Sequence, residues 1–517
     1  MDIARIRQHS LGDLPRRTAA RHPDKLAVCF GETKWTYREF DAICNRLANG
    51  LIDRGLAAGD RVAILSRNSH AFAALRFALA RIGGVLVPIN FMLNTQEIAY
   101  ILRSSGARAL AVSDEFLDTG SRAAALDTRV TLTLRVSQLD ELLSADARTP
   151  DAAVASDRLA QIVYTSGTEA LPKGAMLTHD AVLWQYVSCI VDAEIDASDV
   201  MLHALPMYHC AQLDVFLGPA VYQGATNVIA SAPAPEIVLP LIAEHRITSF
   251  FAPPTVWIGL LRSPLFDQLD HSSLRKGYYG ASIMPVEVLR EITRRVPGLR
   301  LWNLYGQTEI APLATVLGPD EQLTKLGSCG RPALNVETRV VDDQMNDVRP
   351  GEVGEIVHRS PQLLSGYYDA PDKTAASFEG GWFHSGDLAT VDDAGYITVV
   401  DRKKDMIKTG GENVASREVE EAIYRLPQVS EVAVIGLPDP RWIEAVSAVV
   451  VVKPGQALDA PALVAHCQAH LAGFKVPKHV FFCEALPKNP SGKILKRELR
   501  QHYQSAGSAE GPRTLSL

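Results

Sequence analysis

A chain of 517 residues, 47% of them apolar, has material for more than one hydrophobic core. Its formal charge of -7, from 52 basic and 59 acidic side chains, argues against a nonspecific nucleic-acid binder, although a local basic groove is not excluded. The seven cysteines are scattered without CxxC spacing, which excludes a readable zinc ribbon or dithiol motif and fits a reducing cytoplasm.

In chain order, "MDIARIRQHSLGDLPRRTAARHPD" is polar, helical in character, and lacks the apolar centre of a signal peptide. No stretch offers the roughly 20 apolar residues of a membrane helix. The final "TLSL" does not match the Ser-Lys-Leu peroxisomal address, so a soluble cytoplasmic protein is expected. "RVAILS" (61–66) predicts a strand, "HAFAALRFALARIG" (70–83) a helix, "GVLVPIN" (84–90) a strand, "TQEIAYILRSSG" (95–106) a helix and "ARALAVS" (107–113) a strand. The alternation returns at "ATNVIAS" (225–231), "APEIVLPLIAEHRI" (234–247) and "SFFAPP" (249–254). Such units predict α/β architecture with largely parallel sheets. After about 330, short strands broken by Gly and Asp-Asp turns predict a compact β region. Beyond 405 an α/β pattern resumes over ~110 residues, enough for a domain of its own. The expected fold is therefore a large N-terminal domain of α/β subdomains plus a small β region (1–400), a hinge at "DRKKD" (401–405), and a smaller mobile α+β C-terminal domain (406–517).

Five stretches carry chemistry. "YTSGTEALPKGAMLTH" (164–179) runs from a strand-like "LAQIVY" into small hydroxyl residues, a glycine and then Lys173. Backbone N–H groups and hydroxyls in such a turn form an anion-binding concavity to which a lysine adds a point charge. It is not a Walker A loop, because Lys173 precedes Gly174 and is followed by Ala175. "NLYGQTE" (303–309) ends an apolar run in an aromatic, a glycine turn and a carboxylate. "GGWFHSGDLA" (380–389) sets Asp387 after a tight Ser-Gly turn. "DRKKDMIKTGGENVASREVEE" (401–421) is a basic turn followed by a glycine pair, and "PKNPSGKILKRELR" (487–500) places Lys493 behind Pro-Ser-Gly. Singly, each reads equally as a solvated turn or a basic helix start.

Together, and in this order, the five resemble the adenylate-forming superfamily of acyl-CoA synthetases, luciferases and peptide-synthetase adenylation domains. The resemblance runs from "WTYREFDAICNRLANGL" (35–51) to "GKILKREL" (492–499). It implies formation of an acyl-adenylate from a carboxylate and ATP, then displacement of AMP by a thiol. Catalysis is then mostly charge compensation and alignment, since a carboxylate must attack a phosphate. The resemblance implies that Thr165, Ser166, Gly167, Thr168 and Lys173 handle the β- and γ-phosphates. It implies that Glu309 holds Mg²⁺ and that Thr308 touches the α-phosphate. Tyr305 would stack on adenine, with Gly280, Ala281 and Ser282 lining its other side and Asn303, Gly306 and Gln307 nearby. Asp387 would accept the ribose hydroxyls beside Arg402, and Lys493 would reach the α-phosphate and the attacking carboxylate. Lys404 matches the hinge about which the C-terminal domain turns between the two steps. Gly410, Gly411 and Glu412 would then form the passage for the pantetheine of CoA.

The chain departs from the commonest form of the phosphate loop, with Glu169-Ala170 where Thr-Gly is usual. Ala170 should then keep to ordinary backbone space, and Glu169 should point away from a triphosphate, pairing with Lys173 or Arg402. His209 follows Pro-Met-Tyr as in acyl- and aryl-CoA ligases, where it gates access of the acid. Asp214, five residues on, reads as structural or exposed rather than as the partner of a substrate amine. "FFAPPTVWIG" (250–259), with Phe250, Phe251, Pro253 and Trp257, and Gly280 would wall the acyl pocket, favouring a hydrophobic monocarboxylic acid, fatty or aromatic. Lys475 and Lys478 are candidates for the CoA phosphates or simply a solvated basic face. ATP, Mg²⁺ and CoA are the expected co-substrates and cofactor. The expected enzyme is an AMP-forming acyl-CoA synthetase, the alternatives being a carrier-protein-loading adenylating enzyme or a non-catalytic homologue. The sequence leaves the oligomeric state open, a homodimer included.

Overall fold

The structure, a computed structural model, describes residues 6–7, 9–165, 172–280, 282, 284–403, 405–489 and 494–506. Two mostly parallel sheets dominate the first 330 residues. One has nine strands in the order Arg331–Pro332, Leu313–Leu317, Arg300–Gly306, Lys276–Gly280, Ser249–Phe251, Val200–His203, Thr226–Ile229, Leu26–Phe30 and Thr33–Thr36. The other has seven, in the order Gly366–Tyr367, Lys173–Thr178, Leu159–Thr165, Val85–Pro88, Arg61–Leu65, Ala109–Val112 and Leu132–Arg135. The strand–helix alternation expected over 61–113 is present: the helices are His70–Arg81 and Thr95–Ser105, and the strands between them run parallel.

Local chemistry explains these boundaries. Thr36 and Asn94 each cap a helix by accepting backbone N–H groups, and Glu39 and Glu97 reciprocate three residues on. Gly106 ends the second of these helices in the left-handed conformation that only glycine adopts cheaply. Helix His70–Arg81 is buried over every residue after its first, because it lies in a core shared by both sheets: Val28 of the first and Val62 and Leu86 of the second join the same cluster. Each such large side chain contributes about 1.5–3 kcal/mol on burial. A helix with no polar face is thus a consequence of having a sheet on each side.

The β region expected after 330 is a four-stranded antiparallel sheet, Glu337–Val341, Gly354–Arg359, Phe383–Val391 and Ile397–Arg402. The last block has its own sheet of five strands, with Ile443–Val452 at its centre and the helices Ser416–Tyr424, Ala460–His470 and Lys496–Ala506 around it. This mixed α/β organisation, a large N-terminal part followed by a smaller C-terminal one, is the fold class read from the sequence. Lys404 lies outside the described residues. Polar bonds hold the C-terminal block in place. Arg417 donates to the carbonyls of Gly327 (2.8 Å) and Val399. Asp401 accepts from the backbone and hydroxyl of Ser416, each at 2.8 Å, and Lys496 bonds Ser416 Oγ (2.6 Å) and Glu420 (2.8 Å). Arg500 pairs with Asp405 at 2.8 Å.

Among the described residues, no helix is long and apolar enough to cross a membrane.

Gly330 fastens the nine-stranded sheet to the four-stranded one: its carbonyl accepts from Ile397 N at 2.8 Å, its φ is +90°, and a Cβ would stand 1.9 Å from Val316 O. Gly330→Ala should therefore cost more than ~1 kcal/mol and lower the melting temperature in a calorimetric scan; an unchanged melt would contradict this reading of the junction.

Candidate active site

Parallel strands leave their carboxyl ends on one side of a sheet, and the loops that follow them form crevices there. Here strands of both large sheets end around one cavity of about 690 Å³. Pro88 and Thr165 reach it from the seven-stranded sheet, and Phe251, Gly280 and Tyr305 reach it from the nine-stranded sheet.

The strands Leu159–Thr165 and Lys173–Thr178 pair antiparallel, with Thr165 opposite Lys173. The two residues bracket the phosphate-loop motif. Ser166, Gly167, Thr168, Glu169 and Ala170 lie outside the described residues, and with them the expectation for Glu169. Lys173 lines the cavity, and its Nζ sits 5.6 Å from the centre of the Tyr367 ring. The Tyr367 hydroxyl in turn donates to Glu309 Oε1 at 3.0 Å. Glu309 is 8% exposed, and burial raises its carboxyl above the usual glutamate range against the pull of that hydrogen bond. Next to it, the Thr308 hydroxyl lies 3.3 Å from Cys210 Sγ, whose thiol burial pushes up to about 12. Gly306 has no alternative: a Cβ there would lie 1.7 Å from Pro312 O. Gln307 also lines the cavity, and its side-chain nitrogen has no hydrogen-bond partner among the described residues.

A second polar group comes from the four-stranded sheet, where Asp387 and Arg402 are paired across neighbouring strands. Arg402 Nε meets Asp387 Oδ1 at 3.1 Å, and Tyr305 OH donates to Asp387 Oδ2 at 2.7 Å. Burial and the adjacent carboxylate push the Tyr305 phenol well above its ordinary range. Gly280 admits the backbone of the neighbouring strand: a Cβ would stand 2.3 Å from Leu304 O.

The structure thus gathers Thr165, Lys173, His209, Phe251, Gly280, Tyr305, Gly306, Gln307, Thr308, Glu309 and Arg402 around one cavity, with Asp387 bonded to two of them. Other expected residues are elsewhere. Asn303 is buried behind the site, donating to Ser328 O at 2.9 Å. Ser282 is exposed, and Ala281 and Lys493 are outside the described residues. Trp257 does not wall the pocket: it is 1% exposed in the core, its indole donates to Tyr278 O at 3.2 Å, and it packs edge-on against Phe250. Adjacent strand residues face opposite sides, so Phe251 meets the cavity and Phe250 does not. The hairpin turn Gly410–Glu412 is exposed and away from the cavity lining, with Gly410 bonded to Trp442 O at 2.8 Å. Asn489, four residues before Lys493, does line the cavity. Lys475 is held by Glu418 at 2.6 Å, and Lys478 donates to Gly473 O at 3.2 Å.

The apolar wall was only partly foreseen. Phe216 stacks on Phe251 with ring centres 4.5 Å apart and 20° between planes, and both line the cavity with Tyr208 and Val215. Val215 and Phe216 lie on a π-helix, Ala211–Leu217. The apolar run "AQLDVFL" signalled burial there without indicating which residues turn toward the cavity.

Two family models match this sequence: that of the AMP-binding enzyme over residues 15–368, and that of the AMP-binding enzyme C-terminal domain over 418–493. The chain belongs to the AMP-binding enzyme family. It is an AMP-forming acid–thiol ligase of the acyl- and aryl-CoA ligase group. Among its relatives, a feruloyl-CoA synthase of Amycolatopsis sp is 40% identical over 498 residues, 96% of this chain and 100% of that protein. A long-chain-fatty-acid–CoA ligase of Mycobacterium tuberculosis is 36% identical, over 92% and 94% of the two chains. Among solved structures, an anthranilate CoA ligase in complex with anthranoyl-AMP superposes with a TM-score of 0.90 at 26% identity, covering 97% of this chain and 98% of that one. The adenylate-forming resemblance read from the motifs is thereby established for the whole length of the AMP-binding enzyme.

Glu309 gives a pH test. A carboxyl whose folded pKa is raised favours the folded state below its unfolded value, and loses that contribution as pH rises through the folded value. Ligand-free Glu309→Gln should therefore melt ~1–3 °C above the wild type at neutral pH, the gap closing in acid as Glu309 takes up its proton. Equal melting temperatures across that window would mean that the buried carboxylate is compensated within the ligand-free protein.

Proposed function

We propose that this AMP-binding enzyme activates an aromatic carboxylic acid of the hydroxycinnamate class with ATP and transfers the acyl group to CoA. The observation that carries the reading is the stacked Phe216–Phe251 pair in the cavity wall, a flat apolar surface suited to an aromatic ring. The 40% identity with a feruloyl-CoA synthase over nearly the whole chain supports it.

In the first step a carboxylate oxygen of the acid bonds to the α-phosphorus of ATP, and the bond from that phosphorus to the bridging oxygen of pyrophosphate breaks. Lys173 and the loop beside it would take the charge of the departing pyrophosphate. Tyr305 would stack on adenine and Asp387, oriented by Arg402, would accept the ribose hydroxyls. Those hydroxyls would take over the carboxylate oxygen that the Tyr305 phenol now holds. Glu309 fits a magnesium site: it is a carboxylate oxygen donor at the cavity, buried, and raised in pKa by that burial. When bound there, Mg²⁺ would neutralise phosphate charge. Thr308 would donate to the α-phosphate, and His209 would gate the approach of the acid. Lys493 would bring an ammonium to the reacting oxygens from the segment that Asn489 begins.

In the second step the CoA thiol gives up its proton to solvent, its sulfur bonds to the acyl carbon, and AMP leaves with the electron pair of the broken C–O bond. We place the two steps in two orientations of the C-terminal domain, turning at Lys404, with Gly410, Gly411 and Glu412 facing the cavity only in the second. The bonds of Arg417 to Gly327 and Val399 belong to the orientation that presents the Asn489 segment.

AMP release with ATP and Mg²⁺ should be greatest with a hydroxycinnamate, lower with benzoate and octanoate, and dependent on CoA. Pyrophosphate exchange without thioester formation would move the acceptor to a carrier protein, and a preference for palmitate would overturn the aromatic reading. Lys493→Ala should lose adenylation ~10²-fold or more while still forming thioester from supplied acyl-adenylate. Arg417→Ala should slow adenylation more than thioester formation; equal losses in both half-reactions would contradict the proposed division between orientations.

A further inference from the structure

One buried carboxylate ties together the elements that border the cavity. Asp214 is fully buried in the middle of the π-helix Ala211–Leu217. Its Oδ1 accepts from Arg76 Nη2 and from the Tyr186 hydroxyl, both at 3.1 Å, and its Oδ2 accepts from Gln161 Nε2 at 2.7 Å. Gln185 lies beside them: with its amide turned end for end, its nitrogen would donate to the backbone carbonyl of Asp214 (2.9 Å) and to that of Ala311 (3.1 Å), two residues past Glu309. These partners arrive from separate places. Arg76 is on helix His70–Arg81, Gln161 on the strand that opens into the phosphate loop, and Tyr186 and Gln185 on helix His179–Asp192. Gly218 makes room for the network: a Cβ there would stand 2.0 Å from Tyr186 Cζ.

Stability alone is a poor reason for this arrangement, since apolar replacements of a buried ion pair are often neutral or stabilising. A π-helical turn is a different matter. It holds an extra residue relative to an α-helix, and its ladder relaxes easily to the commoner form unless something outside fixes it. Relaxation here would rotate Val215 and Phe216 away from the cavity and displace His209, Cys210 and Ala211, which line the cavity just before them. Three side chains grip the one acidic residue of this turn, and they come from three separate elements, one of them the strand that leads into the phosphate-loop motif. Arg76 depends on the pairing in turn, because its Nε and Nη1 have no hydrogen-bond partner among the described residues.

We infer that Asp214 is a positioning residue for acid specificity. Locked by Arg76, Tyr186 and Gln161, it fixes the π-helix and thereby the placement of Phe216 and His209 against the acid. It does not touch the substrate; it acts through those two residues. The inference rests on the ligase reading but not on the acid's being aromatic.

The test is steady-state kinetics of the full-length wild type, Asp214→Asn and Tyr186→Phe, with the acid the wild type uses best and with one shorter and one longer acid. Asp214→Asn keeps the shape and leaves Arg76 without its counter-charge; Tyr186→Phe removes one hydroxyl and keeps the ring. KM for the best acid should rise ~10-fold in the first and ~3-fold in the second, KM for ATP should stay within about twofold, and the ratios of kcat/KM among the three acids should converge. Should Asp214→Asn not fold, Tyr186→Phe decides the matter alone. Unchanged acid ranking and acid KM, or a kcat loss equal for all three acids, would overturn the inference. A wild type that prefers a fatty acid would remove the aromatic proposal instead, and the comparison would stand on that acid.

Discussion

An AMP-forming ligase has to bring negative charge to negative charge, and under the proposed function that constraint accounts for the polar residues placed around this cavity. A carboxylate and a triphosphate repel, so an enzyme that joins them must supply cationic and hydrogen-bonding groups fixed in advance. The fold provides these by ending strands of two parallel sheets around the same space. Lys173 enters beside the hairpin loop, Thr308 and Glu309 follow the strand Arg300–Gly306, and the Asp387–Arg402 pair arrives from a third sheet. Glu309 is itself a cost in the ligand-free protein: burial raises its carboxyl, opposed by a backbone hydrogen bond, the Tyr367 hydroxyl and the charge of Arg402.

The opposite end of the problem is apolar. The acid's body must be bound without competing for the same charges, and Phe216, Phe251 and Val215 offer area without polarity. Those residues owe their placement to a polar network one layer behind them, centred on Asp214 and Arg76, with side-chain exposures of 0% and 1%. In the proposed reading, polar groups in front handle phosphate, while polar groups behind hold the apolar wall.

Much of this was legible in the sequence. Singly, the stretches around Lys173, Tyr305, Glu309 and Asp387 read equally as solvated turns, and it was their order, in resemblance to the adenylate-forming superfamily, that marked them. The alternation of strands and helices over 61–113 was readable from hydrophobic period alone. The remainder was hidden for definite reasons. A π-helical turn has no distinct period over seven residues, so "AQLDVFL" could not show that Phe216 faces the cavity. Asp214 reads as structural or exposed, and only its pairing with Arg76, 138 residues away, distinguishes the two. Trp257 was drawn into the pocket by the aromatic richness of "FFAPPTVWIG", although the side alternation at Phe250 and Phe251 already divided that stretch between core and cavity.

At the centre of the proposed function is one cavity that holds an acyl-adenylate with its aromatic acyl group against Phe216 and Phe251. The most direct measurement is calorimetric binding of two non-hydrolysable adenylate mimics, a hydroxycinnamoyl and a palmitoyl sulfamoyladenosine, to the wild type and to Phe216→Ala. The hydroxycinnamoyl mimic should bind more tightly by ~10-fold or more, with most of that margin lost in Phe216→Ala. Equal or tighter binding of the palmitoyl mimic, or a margin that survives the loss of Phe216, would contradict it.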